Sequence, residues 1–221
     1  IFQPKGKDGK GDIWASAKNG EVDRLEELVD FGANVNGQNL LSGITPISIA
    51  ALNSKTEAID FLLSKGANIN AKSRDGGTAL HGSAFLGHIE TVNLLLEKGA
   101  DPNIRNNKGE TPLDNSSGEW NDGLRGIVEF VAGLMQIKVD IEDVKAGRLK
   151  AAATLRNQGG KTGAVIAKQS TGENKNAEKD IWTAAKKGNI AAVKRFLANG
   201  AKVDSPDPSG ATPLSMAALT G

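Results

Sequence analysis

The 221 residues are 38% apolar but only 4% aromatic, include no cysteine and carry a formal charge of +1. This excludes disulfides, thiolate metal sites and cysteine nucleophiles, gives no whole-chain field to draw in nucleic acid or an anionic membrane, and suits a core of Leu, Ile, Val and Ala. No apolar run nears the roughly 18 residues of a membrane span, and no signal peptide is visible.

Residues 1–11 (IFQPKGKDGKG) are rich in glycine and lysine without periodicity, the composition of a linker or tail. A first helical pair starts with DIWASAKNG at Asp12; Val22, Leu25, Leu28 and Val29 form the stripe of its second helix, which ends at Gly32. A second pair, from about Leu40 to Asn70, has Ala50 and Ala51 on one helix and Ile59, Leu62 and Leu63 on the other. The third unit, from Gly76 to Asn103, is the clearest. Thr78 is a good N-cap, Gly87 breaks the helix after Leu86, and Ile89, Val92, Leu95 and Leu96 mark one face of the next helix.

A fourth unit opens normally with KGETPLD and then departs from the pattern after Asp114. Residues 115–122 (NSSGEWND) read as a loop, and Leu124 to Met135 is apolar at helical spacing through Ile127, Val128, Val131 and Leu134. An extra helix is therefore inserted at about 115–140. Asp140 with Asp143 marks a helix start, and residues 150–158 supply the missing second helix before Gly159 and Gly160. Residues 164–179 lose all pattern and read as a flexible linker. At Asp180 DIWTAAKKG repeats the opening phrase, Ile190, Val193, Phe196 and Leu197 give a stripe, and GAKVD follows at Gly200. The domain plan is a tail at 1–11, a first array at 12–163, a linker at 164–179 and the start of a second array at 180–221.

Thr45, Thr78 and Thr111 are 33 residues apart, and GANVN, GANIN and GADPN recur at Gly32, Gly66 and Gly99. Short helices with one apolar stripe each need neighbours to bury it. With TPIS, TALH, TPLD and TPLS at Thr45, Thr78, Thr111 and Thr212, and the run GHIETVNLLLEKGA from Gly87, the chain resembles the ankyrin-repeat family. That resemblance implies an all-α solenoid of helix-turn-helix units with short β-hairpin fingers. Trp14 takes the place of His81 in the first unit, which reads as the N-terminal cap, and LRNQGGKTG resembles the close of bacterial ankyrin arrays.

Chemical motifs have structural explanations. Gly160-Lys161-Thr162 ends like a phosphate-binding loop, but Leu155 replaces its first glycine and a helix precedes it. His81 and His88 lack a serine or carboxylate to complete a constellation and read as structural hydrogen bonders. Asp140, Glu142 and Asp143 suit the first turn of a helix, Asp8 and Asp12 lack the oxygen ligands of a calcium loop, and Lys186, Lys187, Lys194 and Arg195 read as a solvated face.

The resemblance implies a non-catalytic module that binds a partner protein on its concave face, without cofactor or nucleic acid. Carried over by position, the binding residues are Leu40, Leu41, Ser42, Arg74, Asp75, Asn107 and Lys108 on the fingers, and Leu52, Asn53, Phe85 and Leu86 on the first helices. Phe85 and Leu86 stand out as an exposed apolar patch beside Leu52, with packing beneath the extra helix or beneath the linker as the alternative. A monomer without a membrane span is expected. The chain begins at Ile1 and stops within a repeat at Gly221, so it reads as a fragment; the compartment stays open, with the cytoplasm as default. The alternative function is a regulatory or targeting arm of a larger enzyme or transporter.

Overall fold

The computed structural model describes residues 12–175, 181–187 and scattered positions between 193 and 215. The chain divides into two compact units, Ile1–Ile166 and Ala167–Gly221. The expectations for residues 1–11, for 176–180, and for Ile190, Arg195 and Gly200 lie outside the described residues.

In the first unit the helices come in pairs. They are α1 (Ile13–Asn19) and α2 (Val22–Asp30), α3 (Pro46–Leu52) and α4 (Thr56–Ser64), α5 (Ala79–Leu86) and α6 (Ile89–Glu97), then α7 (Pro112–Ser117), α8 (Asp122–Met135) and α9 (Ile141–Asn157). The first helices stack in the order α1, α3, α5, α7; α2, α4 and α6 form the second row, and α9 closes it by packing on α7, α5 and α6. Local chemistry sets the helix starts. The Asp12, Thr45 and Thr111 side chains accept from the amides of Ala15, Ser48 and Asp114, and Pro46 and Pro112 occupy the first helical position, where no amide hydrogen is needed. Ser54 has φ 53°, a left-handed conformation that costs a side-chain-bearing residue roughly 1 kcal/mol, and its hydroxyl meets Thr91 Oγ1 at 3.1 Å.

One core runs through the stack. Ile13, Leu25 and Leu28 pack on Ile47, Ile59 and Leu62, these on Leu80, Val92 and Leu95, and these on Leu113 and Leu155. Each such fully buried side chain contributes roughly 1.5–3 kcal/mol. A polar ladder ties the same units together: Asn36, Asn70 and Asn103 accept from the amides of Asn68, Asp101 and Lys161 at 2.7, 3.0 and 2.8 Å. A smaller cluster of Leu86, Val128 and Val144 lies apart from the main core, under α8.

Three features differ from the sequence-based expectation. Among the described residues no strand forms. Each finger is a tight turn closed on one residue: Asn39 N, Ser73 N and Asn106 N donate to Ile44 O, Gly77 O and Glu110 O at 3.1, 2.8 and 2.8 Å, and their carbonyls accept from Gly43 N, Gly76 N and Gly109 N, too short for a ladder. The segment read as a loop from 115 is helical through Ser117, because Thr111 and Asp114 cap α7 reciprocally. The stretch read as a linker from 164 is helical as α10 (Gly163–Lys175). Thr162 Oγ1 accepts from Val165 N at 3.4 Å, and Gly163 N donates to Asp114 at 2.7 Å, so this helix starts in the manner of the first helices.

In the second unit α11 (Ile181–Lys186) buries Ile181, Ala184 and Ala185. Farther on, Asp207 N donates to Ala211 O at 2.8 Å, and Thr212 with Ser215 forms a reciprocal cap. The finger and cap chemistry of the first unit is thus present again.

Candidate functional site

A groove of about 520 Å³ runs between the fingers and the first helices of the first unit. Ser48, Leu52, Thr78, His81 and Phe85 form its floor; Ser42, Arg74, Asp75 and Asn106 stand on the finger side, and Val131 of α8 on the other.

Main-chain bonds join the finger tips into one edge. Arg74 N donates to Ser42 O and Asn107 N to Asp75 O, each at 2.9 Å. The fingers approach so closely that a Cβ on Gly43 would lie 2.9 Å from Arg74 N, and one on Gly76 would lie 2.8 Å from Asn107 N. Both glycines also have positive φ, so the tips depend on glycine twice over. The Arg74 guanidinium donates to Leu41 O at 2.5 Å and Leu40 O at 2.9 Å, and Asn107 Nδ2 donates to Arg74 O at 2.9 Å. Held this way, Leu40 and Leu41 are 78% and 87% exposed. Lys108 is also exposed, and Asp75 accepts from Ser73 Oγ and Gly77 N. Burial raises the Asp75 pKa, but those hydrogen bonds outweigh it and leave the carboxyl below its ordinary value.

The expected apolar patch at Phe85 and Leu86 is corrected by the path of α8. After Gly118 the chain turns back, and α8 crosses the ends of α5 and α3 until Gln136 accepts from Lys18 of α1 at 3.2 Å. Leu86 is 1% exposed against Val128 and Val144, and Phe85 is half-buried in the same cluster with Trp120. Leu52 packs there too, and its carbonyl meets His88 Nε2 at 3.1 Å. Asn53 caps α3, with Nδ2 on Ile49 O at 2.8 Å. Of Leu52, Asn53, Phe85 and Leu86, the first-helix residues expected at the binding face, only Leu52 and Phe85 line the groove.

Arg148, a residue the sequence did not single out, fastens this corner. It is 3% exposed, donates to Phe85 O at 2.6 Å and lies 5.3 Å from the Phe85 ring and 5.9 Å from the Trp120 ring. Burial pushes its pKa down. The negative end of α5 and the two ring faces offset the lost water.

Both histidines are structural bridges. His81 Nδ1 accepts from Thr78 N at 3.1 Å, which leaves Nε2 to donate to Glu110 O at 3.2 Å in the next unit. Trp14 plays the same part in the first unit, its Nε1 donating to Ile44 O at 2.9 Å. Burial depresses the pKa of both His81 and His88, although the carbonyls of Glu110 and Leu52 pull the other way. The unfolded chain then binds more protons than the folded one as pH drops below about 6.5, so the stabilisation is complete above that pH and fades as pH falls through the depressed folded values. Thermal melts should show a flat midpoint from about pH 8 to 7 and a decline towards pH 5, and His81→Gln should lower the midpoint at pH 7.5 while flattening the decline. A midpoint that rises on acidification would contradict neutral, buried imidazoles.

Lys161 N binds Asn103 and Lys161 O accepts from Thr111 Oγ1, so the Gly160-Lys161-Thr162 stretch is a unit junction. Asp140 caps α9 by accepting from Glu142 N and Asp143 N. Lys186, Lys187 and Lys194 are exposed. Among the described residues no His, Asp and Glu side chains group to hold a metal, and no helix is long and apolar enough to cross a membrane.

The family model for ankyrin repeats (3 copies) matches residues 13–106. No curated protein matches the chain. Ankyrin repeats are in general modules for protein–protein interaction and are typically non-catalytic. Helix pairs stacked at a 33-residue period, with capped starts, glycine-tipped fingers and that match, identify residues 13–106 as ankyrin repeats.

Proposed function

We propose that the first unit binds a partner protein along its concave side, with Leu40, Leu41, Ser42, Arg74, Asp75, Asn107 and Lys108 as finger contacts and the exposed parts of Leu52 and Phe85 as the floor, and that it has no catalytic role. The observation carrying this reading is the leucine pair. Two side chains, 78% and 87% exposed, sit on a tip whose carbonyls are both held by one guanidinium. Apolar groups presented on a backbone that is already ordered lose little entropy on binding, so a few anchors suffice. The cap at Thr212 and the finger at Asp207 favour a second array of the same kind beyond residue 180.

Affinity capture with the whole 221-residue chain as bait tests the reading. Leu40→Ser with Leu41→Ser should lose a protein that the unsubstituted chain retains, without a change in the bait's circular dichroism. Identical captured sets from the two baits would refute it.

A further inference from the structure

Resting on that concave-face reading, we infer that the partner segment seated in the groove is an amphipathic helix with an acidic polar face, lying alongside α8. The apolar arc of α8 is wider than the protein covers. Leu124, Val128, Val131 and Ala132 are buried or half-buried, yet Ile127, Phe130 and Leu134 are 54%, 69% and 72% exposed. At about 100° per residue these three fall within about 60° of one another, and Val131 follows at the edge of their sector. Val131 lines the groove, so the exposed stripe continues the groove wall outward. Its 14 residues span about 21 Å, and a helix packed beside it at the usual 8–10 Å would lie over the groove towards the fingers.

The finger side supplies the charge. Lys72, Arg74, Arg105 and Lys108 are exposed there, and among the described residues none makes an ion pair. Lys72, Arg74 and Arg105 are held by main-chain carbonyls, of Arg105, of Leu40 and Leu41, and of Gly109, so their positions are fixed without a direct carboxylate partner among the described residues. The finger acids Asp75 and Glu110 bind neutral donors, Ser73 with Gly77 and Asn106, and keep their charge, so four cations against two carboxylates leave this edge two positive charges in excess. The second-row helices, by contrast, pair their cations: Arg24 with Glu27, Lys65 with Glu26 and Lys98 with Asp60. A net charge of +1 thus hides a positive finger edge facing an apolar wall. A second copy fits less well, because three partly exposed side chains offer on the order of 400 Å² at most, half of the roughly 800 Å² per partner of a stable interface.

Two synthetic 14-residue peptides test this, identical in a leucine face spaced i, i+3, i+4, i+7 and differing only in a glutamate or lysine polar face. Each is titrated by fluorescence anisotropy against the whole chain. The glutamate peptide should bind at least tenfold tighter, more weakly at high salt. Ile127→Ser with Phe130→Ser and Leu134→Ser, all at exposed sites, should cost at least tenfold, and Lys72→Glu with Lys108→Glu should reverse the preference. Equal affinity for the two peptides, no binding of either, or indifference to the stripe substitutions would each overturn the inference. So would a concentration-dependent dimer, or binding to phosphatidylserine vesicles in place of the glutamate peptide, if abolished by those substitutions. Loss of peptide preference while Leu40→Ser/Leu41→Ser still abolishes capture sinks only the acidic helix; unchanged capture sinks the concave-face reading itself.

Discussion

Gly147→Ala should lower the stability of the first unit by roughly 2–3 kcal/mol, the upper part of the range for overpacking a tight contact, read as a lower urea midpoint. Gly147 is buried where α9 crosses the turn between α5 and α6, and a Cβ there would run into the carbonyl, carbonyl carbon and Cα of Gly87. These are main-chain atoms of a residue in the left-handed conformation that ends α5, at φ 71°, so they cannot move aside without undoing the cap. The clash is mutual: a Cβ on Gly87 would meet Val144 O at 2.6 Å and Arg148 N at 2.7 Å. Alanine is the better helix former by about 1 kcal/mol, so only the close approach makes the change unfavourable. Gly126→Ala on α8 isolates that term, since nothing lies within 4 Å of the added methyl. It should stabilise by up to about 1 kcal/mol. If both alanines stabilise, α9 does not cross at Gly87.

What the sequence made legible is local, and what it hid is long-range. Thr45 and Thr111 announce helix starts because a hydroxyl at an N-cap reaches an amide three residues on, Thr78 because its amide and hydroxyl meet His81 Nδ1, and Asp140 caps α9 through the amides of Glu142 and Asp143. The period follows from those caps. Periodicity also found the inserted helix, but an apolar arc says that something is covered and not by what. Ile127 and Leu134 read as one stripe with Val128 and Val131, yet α8 turns the first two outward. Its arc, too wide for one buried face, was the available signal. Leu86 was misplaced for the same reason, and Phe85 was only half right, since carrying positions over from a regular repeat assumes that nothing folds back across them. The grip of Arg74 on the Leu40 and Leu41 carbonyls joins residues 34 and 33 apart and has no trace in either local stretch. At 164–175 a polar composition masked a helix whose start is placed by its neighbours, Gly163 N donating to Asp114 and Lys161 O accepting from Thr111 Oγ1.

Leu86→Ala should cost about 3 kcal/mol, near the lower end of the range for removing a buried leucine side chain. Leu86 is 1% exposed, and its neighbours Val128 and Val144 are 0% and 4% exposed, so the substitution opens a void that water cannot usefully fill. The lower end applies because α8 is joined through short irregular segments at 118–121 and 136–140 and can settle partway into the space. The main core is a separate cluster, so the loss should begin as undocking of α8, visible in the emission of Trp120 before the far-ultraviolet circular dichroism changes. Leu41→Ala, on the finger, is the counterpart. At 87% exposed it should alter stability by no more than about 0.5 kcal/mol. Two leucines assigned to one binding face by sequence position thus separate by roughly 2.5 kcal/mol once the fold is known. If urea denaturation found Leu86→Ala as mild as Leu41→Ala, α8 would not be covering α5, and the floor of the groove would be open to a partner along its whole length.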